Sequence, residues 1–286
     1  MKITDIITGK RPCLSFEVFP PKTSDKFESV SSATKAIAAL RPGFMSVTYG
    51  AGGGTSQYTA DIAQNIQEEY GVTSIAHLTC VSSTREEIGE RLTDLRSRGI
   101  ENILALRGDI PAGLDMSSLQ YSHASELIED IRAFGGFTIG GACYPEGHPE
   151  SKNSREDVDF LKRKVDAGCE FLTTQMFFDN NIFYNFLYRV REAGINVPVI
   201  AGIMPVTAAA QIKRICSISG TALPQRFVRI VDRFGDDPAA MLQAGVAYAT
   251  EQVIDLIANG VNAVHIYSMN KPQVAAMIKA NLSSIL

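Results

Sequence analysis

Short apolar runs of the kind that form β-strands alternate along this chain with longer segments whose apolar residues lie three and four positions apart. The second spacing is the period of an α-helix, so the pattern predicts strands and helices in regular alternation. The predicted strands occupy residues 14–17, 45–49, 74–77, 103–109, 139–144, 171–175, 199–203 and 263–267. About eight strands that alternate with helices favour an α/β fold, the closed (β/α)8 TIM barrel.

The helical segments carry local signals of their own. They are predicted at residues 24–40, 56–69, 84–98, 118–134, 152–167, 180–192, 207–217, 238–258 and 271–284. Thr84 opens one of them and is followed three residues later by Glu87, which is the spacing of a capping box. Residues 219–237 are too many for an ordinary connection, so we expect an extra short helix there, before the last barrel helix.

The composition predicts one domain over residues 1–286. A chain of 286 residues, 45% of them hydrophobic, can bury a large core, and barrels of this length commonly form a single domain. The net charge of -4 provides no basic field for nucleic acid, and no apolar run is long enough to cross a bilayer. The amino end lacks the apolar region of an export signal, and the five cysteines form no CxxC pair. We therefore expect a cytoplasmic protein that binds neither nucleic acid nor membrane.

In a barrel of this kind the reactive groups gather at the carboxyl ends of the strands, and most of the predicted strands stop at a polar side chain. Glu17 comes just before Pro20 and Pro21, which restrict the backbone there. A carboxyl group half-buried at the barrel mouth has a raised pKa and suits a general acid, whereas an isolated glutamate is more often an ordinary surface residue. Asp109 could form an ion pair within its own loop, and His77 could be a satisfied core histidine.

Two further segments are open to more than one interpretation. The glycine-rich residues 50–55 follow a strand and open a helix, but Thr55 stands where a dinucleotide fingerprint has its last glycine. This segment is either a tight turn or a place where backbone approaches a flat or phosphorylated ligand. The basic residues 162–164 could reach a diphosphate or form a solvated helical face. The four histidines lie far apart without the spacing of metal ligands, so no metal site is expected.

Taken together, the motifs resemble those of one family. The segments that carry the likeness are residues 15–22, 46–53, 77–80, 105–109, 144–150, 161–168 and 174–179. They span nearly the whole chain in order, and they resemble methylenetetrahydrofolate reductase. The resemblance implies a flavin-containing barrel that reduces 5,10-methylenetetrahydrofolate to 5-methyltetrahydrofolate, with hydride taken from NADH or NADPH through FAD.

The resemblance also implies roles for particular residues. Glu17 would be the general acid that protonates the folate N10, and Asp109 would stabilise the cation that results. Gln175 would hydrogen-bond the folate ring, or the nicotinamide on the same face, which implies ping-pong exchange. Gln211 and Lys271 match positions that help to hold folate, although Lys271 replaces an arginine.

The FAD contacts that the resemblance implies come from several strands and loops. They are Thr48, Tyr49, Ala51, His77, Arg107, Gly108, Asp109, Ala124, Tyr144, His148, Ser151, Asp157, Arg163 and Lys164. Two positions depart from some relatives: Phe160 stands in place of an asparagine beside FAD, and Ile215 in place of a phenylalanine near the substrate.

Two other functions remain as alternatives. A barrel lyase or aldolase without flavin is disfavoured, because no lysine falls at the end of a predicted strand, where a Schiff base would form. A catalytic subunit of the same reaction could instead receive electrons from a partner protein. We expect a homo-oligomer, or a hetero-complex with such an electron-donating subunit.

Overall fold

A computed structural model describes residues 1–21, 23–49, 56–110 and 119–286. Its parallel strands are hydrogen-bonded in sequence order, and the last pairs with the first, so they close into an eight-stranded barrel. The strands are β1 (Cys13–Val18), β2 (Met45–Val47), β3 (Ser74–Thr79), β4 (Asn102–Leu106), β5 (Thr138–Cys143), β6 (Phe171–Thr174), β7 (Val199–Ile203) and β8 (Ala263–Tyr267). The predicted (β/α)8 barrel is confirmed.

The helices follow the predicted order. They are α1 (Ile3–Ile7), α2 (Phe27–Ala38), α3 (Ser56–Glu68), α4 (Arg85–Ser97), α5 (Ala124–Phe134), α6 (Ser154–Ala167), α7 (Asn180–Glu192), α8 (Ala209–Ser219), α9 (Gln225–Phe234), α10 (Pro238–Ala258) and α11 (Pro272–Asn281). The Thr84 capping box is present, with the Glu87 amide donating to the Thr84 hydroxyl at 3.2 Å and the Thr84 amide donating to the Glu87 carboxylate at 2.8 Å. Helix α9 is the predicted extra helix.

Helix α1 closes the amino-terminal end of the barrel. Ile3 and Ile7 pack into an apolar cluster with Phe44 and Phe171 inside the strands. Phe171 fits there because Gly140 has no side chain, since a Cβ on that glycine would lie 2.2 Å from the ring. Helix α1 and this apolar cluster therefore cover the amino-terminal end of the barrel. The open end of the barrel is therefore the one where the strands finish.

Two predicted strand ends lie elsewhere than expected. Strand β3 continues two residues beyond His77 to Thr79, and alternation along the strand turns His77 into the barrel interior. Strand β4 ends at Leu106, so Asp109 lies in the following loop. No helix within the described residues has the length and the apolar character needed to span a membrane.

Candidate active site

A cavity of about 390 Å³ opens at the carboxyl ends of the strands. We call it the central cavity. Of the residues singled out from the sequence, it is lined by Glu17, Thr48, Tyr49, His77, Tyr144 and Gln175. These side chains come from different strands and loops, which is how this fold brings distant parts of the sequence together.

Glu17 is the acidic side chain in the lining of this cavity. It pairs in register with Ser46 of β2 and Tyr267 of β8, so its backbone is fixed on both sides. Its side chain is only 18% exposed. Burial raises the pKa of Glu17 to about 8, because the charged form loses its hydration. The carboxyl group therefore holds a proton at neutral pH.

His77 lies beside Glu17, with 3.8 Å between Nε2 and the nearer carboxylate oxygen. Burial lowers the pKa of His77 to about 4, so the imidazole is neutral where Glu17 is protonated. The distance is too long for a hydrogen bond, and two neutral groups form no ion pair. Within the described residues, His77 Nε2 is buried without a hydrogen-bond partner. Such a group is costly unless a bound molecule satisfies it.

A second histidine lies in the interior and is fully satisfied. His265 Nδ1 is 2.7 Å from the Ser15 hydroxyl and Nε2 is 2.9 Å from the Ser46 hydroxyl. Burial lowers the pKa of His265 to about 3, and the neighbouring His77 adds to this shift. His265 of β8 is thus a neutral core histidine that is hydrogen-bonded to both β1 and β2.

Sequence reasoning did not select Tyr267, which also lines the central cavity. Its hydroxyl donates to the Thr174 carbonyl at 2.5 Å. Burial raises the pKa of Tyr267 well above its usual value, and the nearby Glu17 adds to this shift. Its ring occupies space that only Gly202 leaves open, since a Cβ there would lie 2.5 Å from the hydroxyl. The signal was available, because Tyr267 is the polar end of the eighth predicted strand.

A second cavity of about 340 Å³, the side cavity, adjoins the first. The two share Leu106, Ala142 and Tyr144 as walls. Of the residues singled out from the sequence, the side cavity is lined by Arg107, Gly108, Asp109, Ala124, Tyr144, His148, Ser151, Asp157 and Lys164. Together the two cavities could hold a long ligand that is flat at one end and charged at the other.

Arg107 and Glu150 form an ion pair at the side cavity. Both guanidinium NH2 groups donate to the carboxylate at 2.6 Å. The hydrogen bonds raise the pKa of Arg107 and lower that of Glu150. The ion pair that could have formed between Asp109 and Arg107 within one loop is therefore not observed, because Arg107 pairs with Glu150. Within the described residues, Asp109 has no salt-bridge partner.

Lys164 reaches the side cavity from α6. Its Nζ donates to the Ala142 carbonyl at 2.8 Å, and desolvation lowers its pKa. Two turns earlier on the same helix, the Asp157 carboxylate accepts from the His148 amide at 3.2 Å and from the Ser151 hydroxyl at 3.3 Å. Gly108 has a φ of +90°, and a Cβ there would lie 3.1 Å from Thr79. These contacts hold the loops that form the cavity walls.

Several residues singled out from the sequence lie outside both cavities. The Arg163 guanidinium lies 5.1 Å from the centre of the Phe160 ring, and Phe160 lines the side cavity. The Lys271 ammonium donates to the Thr207 hydroxyl at 2.7 Å, while Gln211 and Ile215 lie in α8. Ala51 lies outside the described residues. No group of three or more side chains suited to hold a metal occurs among the residues that the structure describes.

Comparison with known proteins points to one family. A family model described as methylenetetrahydrofolate reductase matches residues 2–283. The chain is 36% identical over 265 residues to the 5,10-methylenetetrahydrofolate reductase of Escherichia coli, a match that covers 93% of this chain and 88% of that protein. It is 34% identical over 300 residues to methylenetetrahydrofolate reductase (NADH) 1 of Arabidopsis thaliana, covering 99% of this chain and 50% of the relative. The chain thus spans about half the length of the plant relatives that it matches.

A solved structure shares the fold. It is an uncharacterized protein from Clostridium thermocellum that binds two copies of 5-methyl-5,6,7,8-tetrahydrofolic acid. The TM-score is 0.68, the sequences are 14% identical, and the match covers 100% of both chains. At this identity the likeness shows the barrel fold alone.

Proposed function

Because the chain belongs to the methylenetetrahydrofolate reductase family, we propose that it reduces 5,10-methylenetetrahydrofolate to 5-methyltetrahydrofolate, with FAD bound and a nicotinamide nucleotide as reductant. The reaction adds one proton and one hydride to the folate. FAD, when bound, supplies the hydride chemistry that side chains lack. The protein supplies the proton, the geometry and the electrostatic environment.

The observation that carries this proposal is the protonated carboxyl group in the central cavity. The Glu17 pKa near 8 leaves this group a neutral acid at physiological pH. A general acid works best when its pKa lies near the working pH. Glu17 would donate its proton to the folate N10, which breaks the bond from N10 to the methylene carbon and leaves a 5-iminium cation. The methylene carbon of that cation is then open to hydride.

The linings of the two adjoining cavities support the binding of FAD. The unsatisfied His77 Nε2 offers a polar contact in the central cavity, and the cationic Arg107 and Lys164 offer charge to a diphosphate in the side cavity. Tyr144 lines both spaces, so a ligand in one cavity would lie close to the other. The proposed FAD contacts are those implied by the family resemblance, and they include Arg163, which lies outside both cavities.

Asp109 and Gln175 would act on the folate. Burial raises the pKa of Tyr144, and the negative charge of Asp109 raises it further. The Asp109 carboxylate therefore lies near Tyr144, at the junction of the two cavities. A fixed negative charge there stabilises a cationic intermediate. The Gln175 side-chain oxygen accepts from the Met176 amide at 2.9 Å, which orients its amide group. Gln175 would serve folate and nicotinamide in turn, which gives ping-pong exchange.

Gln211 and Lys271 would hold the outer part of the folate. Lys271 Nζ is tied to Thr207, in the loop that leads into α8, where Gln211 lies. Gln211 therefore follows the end of β7 and Lys271 follows the end of β8. A lysine there offers a point charge to a carboxylate, without the two-pronged hydrogen bonding of an arginine.

Anaerobic titration of the purified protein tests this function. We expect flavin absorbance in the isolated chain, bleaching by NADH or NADPH, and recovery of the colour when methylenetetrahydrofolate is added. A colourless protein that cannot take up FAD would contradict the proposal. If dithionite bleaches the flavin and folate restores it while neither nucleotide bleaches it, the electron donor is a partner protein instead.

A further inference from the structure

A four-residue turn follows β8 and faces the central cavity. The Lys271 amide donates to the Ser268 carbonyl at 3.0 Å, which closes the turn. Its two central residues, Met269 and Asn270, have φ values of 53° and 52°, the left-handed pattern of a type I′ turn. Asparagine tolerates this conformation, but methionine adopts it only where the surroundings impose it. Met269 also lines the cavity that contains Glu17.

The turn is tied to the end of strand β1 by side-chain hydrogen bonds. The Phe19 amide donates to Asn270 Oδ1 at 3.0 Å, and Asn270 Nδ2 donates to the Phe19 carbonyl at 2.9 Å. The Ser268 hydroxyl donates to the Glu17 carbonyl at 2.6 Å. Three hydrogen bonds therefore join residues 268–271 to the short segment that begins at Glu17.

The position of Phe19 explains why this contact matters. Strand β1 ends at Val18, whose carbonyl accepts from the Thr48 amide at 3.0 Å. Phe19 lies beyond the sheet, and the next residues are Pro20 and Pro21, which have no amide hydrogen. Both backbone groups of Phe19 would lack ladder partners, and Asn270 satisfies both. The Asn270 side chain therefore supplies the two hydrogen bonds that a neighbouring strand would otherwise make with Phe19.

We propose that Asn270 is a positioning residue that fixes the Glu17 carboxyl group in the central cavity, acting through the backbone of Phe19. The left-handed turn is what aims the Asn270 amide at Phe19, and this accounts for the strained Met269 beside it. The expected effect on folate reduction rests on the proposed function, whereas the expected effect on the position and pKa of the Glu17 carboxyl group does not.

Several titratable groups share the cavity with Glu17, and none is altered by replacing Asn270. They are Tyr49, His77, Tyr144, His265 and Tyr267. A change in the Glu17 pKa in an Asn270 variant would therefore report the position and hydration of the carboxyl group. It would not report the loss of a neighbouring charge.

The test variant is Asn270→Gly, because glycine keeps the left-handed backbone while the two side-chain hydrogen bonds are lost. The matched control is Asn259→Gly. Asn259 follows α10 at the closed end of the barrel, and its side-chain Nδ2 donates to the Asp255 carbonyl at 2.8 Å and to the Asp255 carboxylate at 3.2 Å. Both variants lose two side-chain hydrogen bonds, but only one of them touches the Glu17 segment.

The first measurement is a carbon-13 NMR titration of protein labelled at glutamate side chains, with Glu17 identified by the signal lost in Glu17→Gln. We expect Asn270→Gly to lower the Glu17 pKa by about one unit or more, because water reaches a carboxyl group that has moved. Asn259→Gly should leave it unchanged. The same Glu17 titration in Asn270→Gly and in the parent would overturn the positioning role.

The second measurement separates the two half-reactions by stopped flow. Asn270→Gly should slow folate reduction by about tenfold or more, because a small misplacement of a reacting group is costly, while flavin reduction by the nucleotide stays within about twofold. Equal losses in both would count against the proposal. A parent chain that fails to reduce folate would defeat the proposed function, and the NMR titration would still decide the positioning role.

A second variant covers the possibility that Asn270→Gly does not fold. Ser268→Ala removes only the hydroxyl that donates to the Glu17 carbonyl. It should shift the Glu17 titration in the same direction by a smaller amount. An unshifted titration in a folded Ser268→Ala protein would then overturn the tie between the turn and Glu17.

Discussion

The two adjoining cavities treat charge in opposite ways. In the central cavity, burial keeps Glu17 protonated and His77 neutral. In the side cavity, Arg107 and Glu150 remain charged because each compensates the other. Two cavities at the same end of one barrel can therefore differ in the protonation states that they favour. Desolvation dominates where no partner is present, and pairing dominates where one is.

The difference assigns different tasks to the two spaces. A neutral acid can deliver a proton, which is what the central cavity would do. Fixed charges attract and orient an ionic ligand, which is what the side cavity would do. Substitutions that affect one cavity and spare the other can therefore test whether the tasks are separate.

The largest effect is expected from Glu17→Gln. Glutamine has nearly the same shape but cannot give up a proton, so folate reduction should fall by about 10²–10⁴-fold. FAD binding and flavin reduction by the nucleotide should be retained. Stopped-flow measurement of each half-reaction checks this, and a similar loss in both would remove the distinction between the cavities.

Next in size is Arg107→Met, which removes the guanidinium group from the side cavity and keeps most of the apolar stem. Loss of a charged hydrogen-bond donor should weaken FAD binding by about 10- to 100-fold, measured by fluorescence titration of the apoprotein. Arg226→Met is the control, because Arg226 also forms a two-pronged pair, with Glu251 on the surface. If both variants bound FAD like the parent, the side cavity would not be the diphosphate site.

A smaller effect is expected from Asp109→Asn. The variant keeps the size of the side chain but loses the negative charge near the junction of the cavities. Folate reduction should slow by about tenfold, and flavin reduction should slow less, because only the folate step develops a cation. An unchanged folate half-reaction would show that Asp109 does not act on that cation.

The smallest effect concerns stability. Folding raises the Glu17 pKa from 4.5 to about 8, so the unfolded chain releases this proton first as the pH rises. The stability that the buried neutral acid contributes is present below pH 4.5 and is lost as the pH rises to about 8. Glu17→Gln removes this loss, so its melting temperature should exceed that of the parent by a margin that grows to about a few degrees at pH 8.

Thermal unfolding at several pH values measures this margin. The buried histidines are common to both proteins, so their contribution cancels in the difference. Glu251→Gln, on the exposed surface, should show no such growth. A constant margin between pH 5 and pH 8 would mean that Glu17 has an ordinary pKa in the folded protein.

Much of the fold was predictable because its signals are local. Short apolar runs marked the strands, and the Thr84 and Glu87 pair marked the start of a helix. The long stretch of residues 219–237 indicated α9. Helix α1 was not predicted, because five residues are too few to show a helical period.

The candidate site was predictable as a set of residues but not as an arrangement. The family resemblance and the strand ends selected Glu17 and Gln175, and the structure places both in the central cavity. The pairing of Arg107 with Glu150 joins residues 43 positions apart, and nothing local favours it over a pair with Asp109. The left-handed Met269 carries no signal in its own sequence, since methionine does not prefer that conformation.

Local periodicity was enough to predict the order of strands and helices and the closed barrel, and residue type gave the side chains available for chemistry. The charge state of those side chains follows instead from the folded arrangement. The pKa of Glu17 depends on how completely water is excluded, and this residue is buried on β1 where β2 and β8 pair on either side of it.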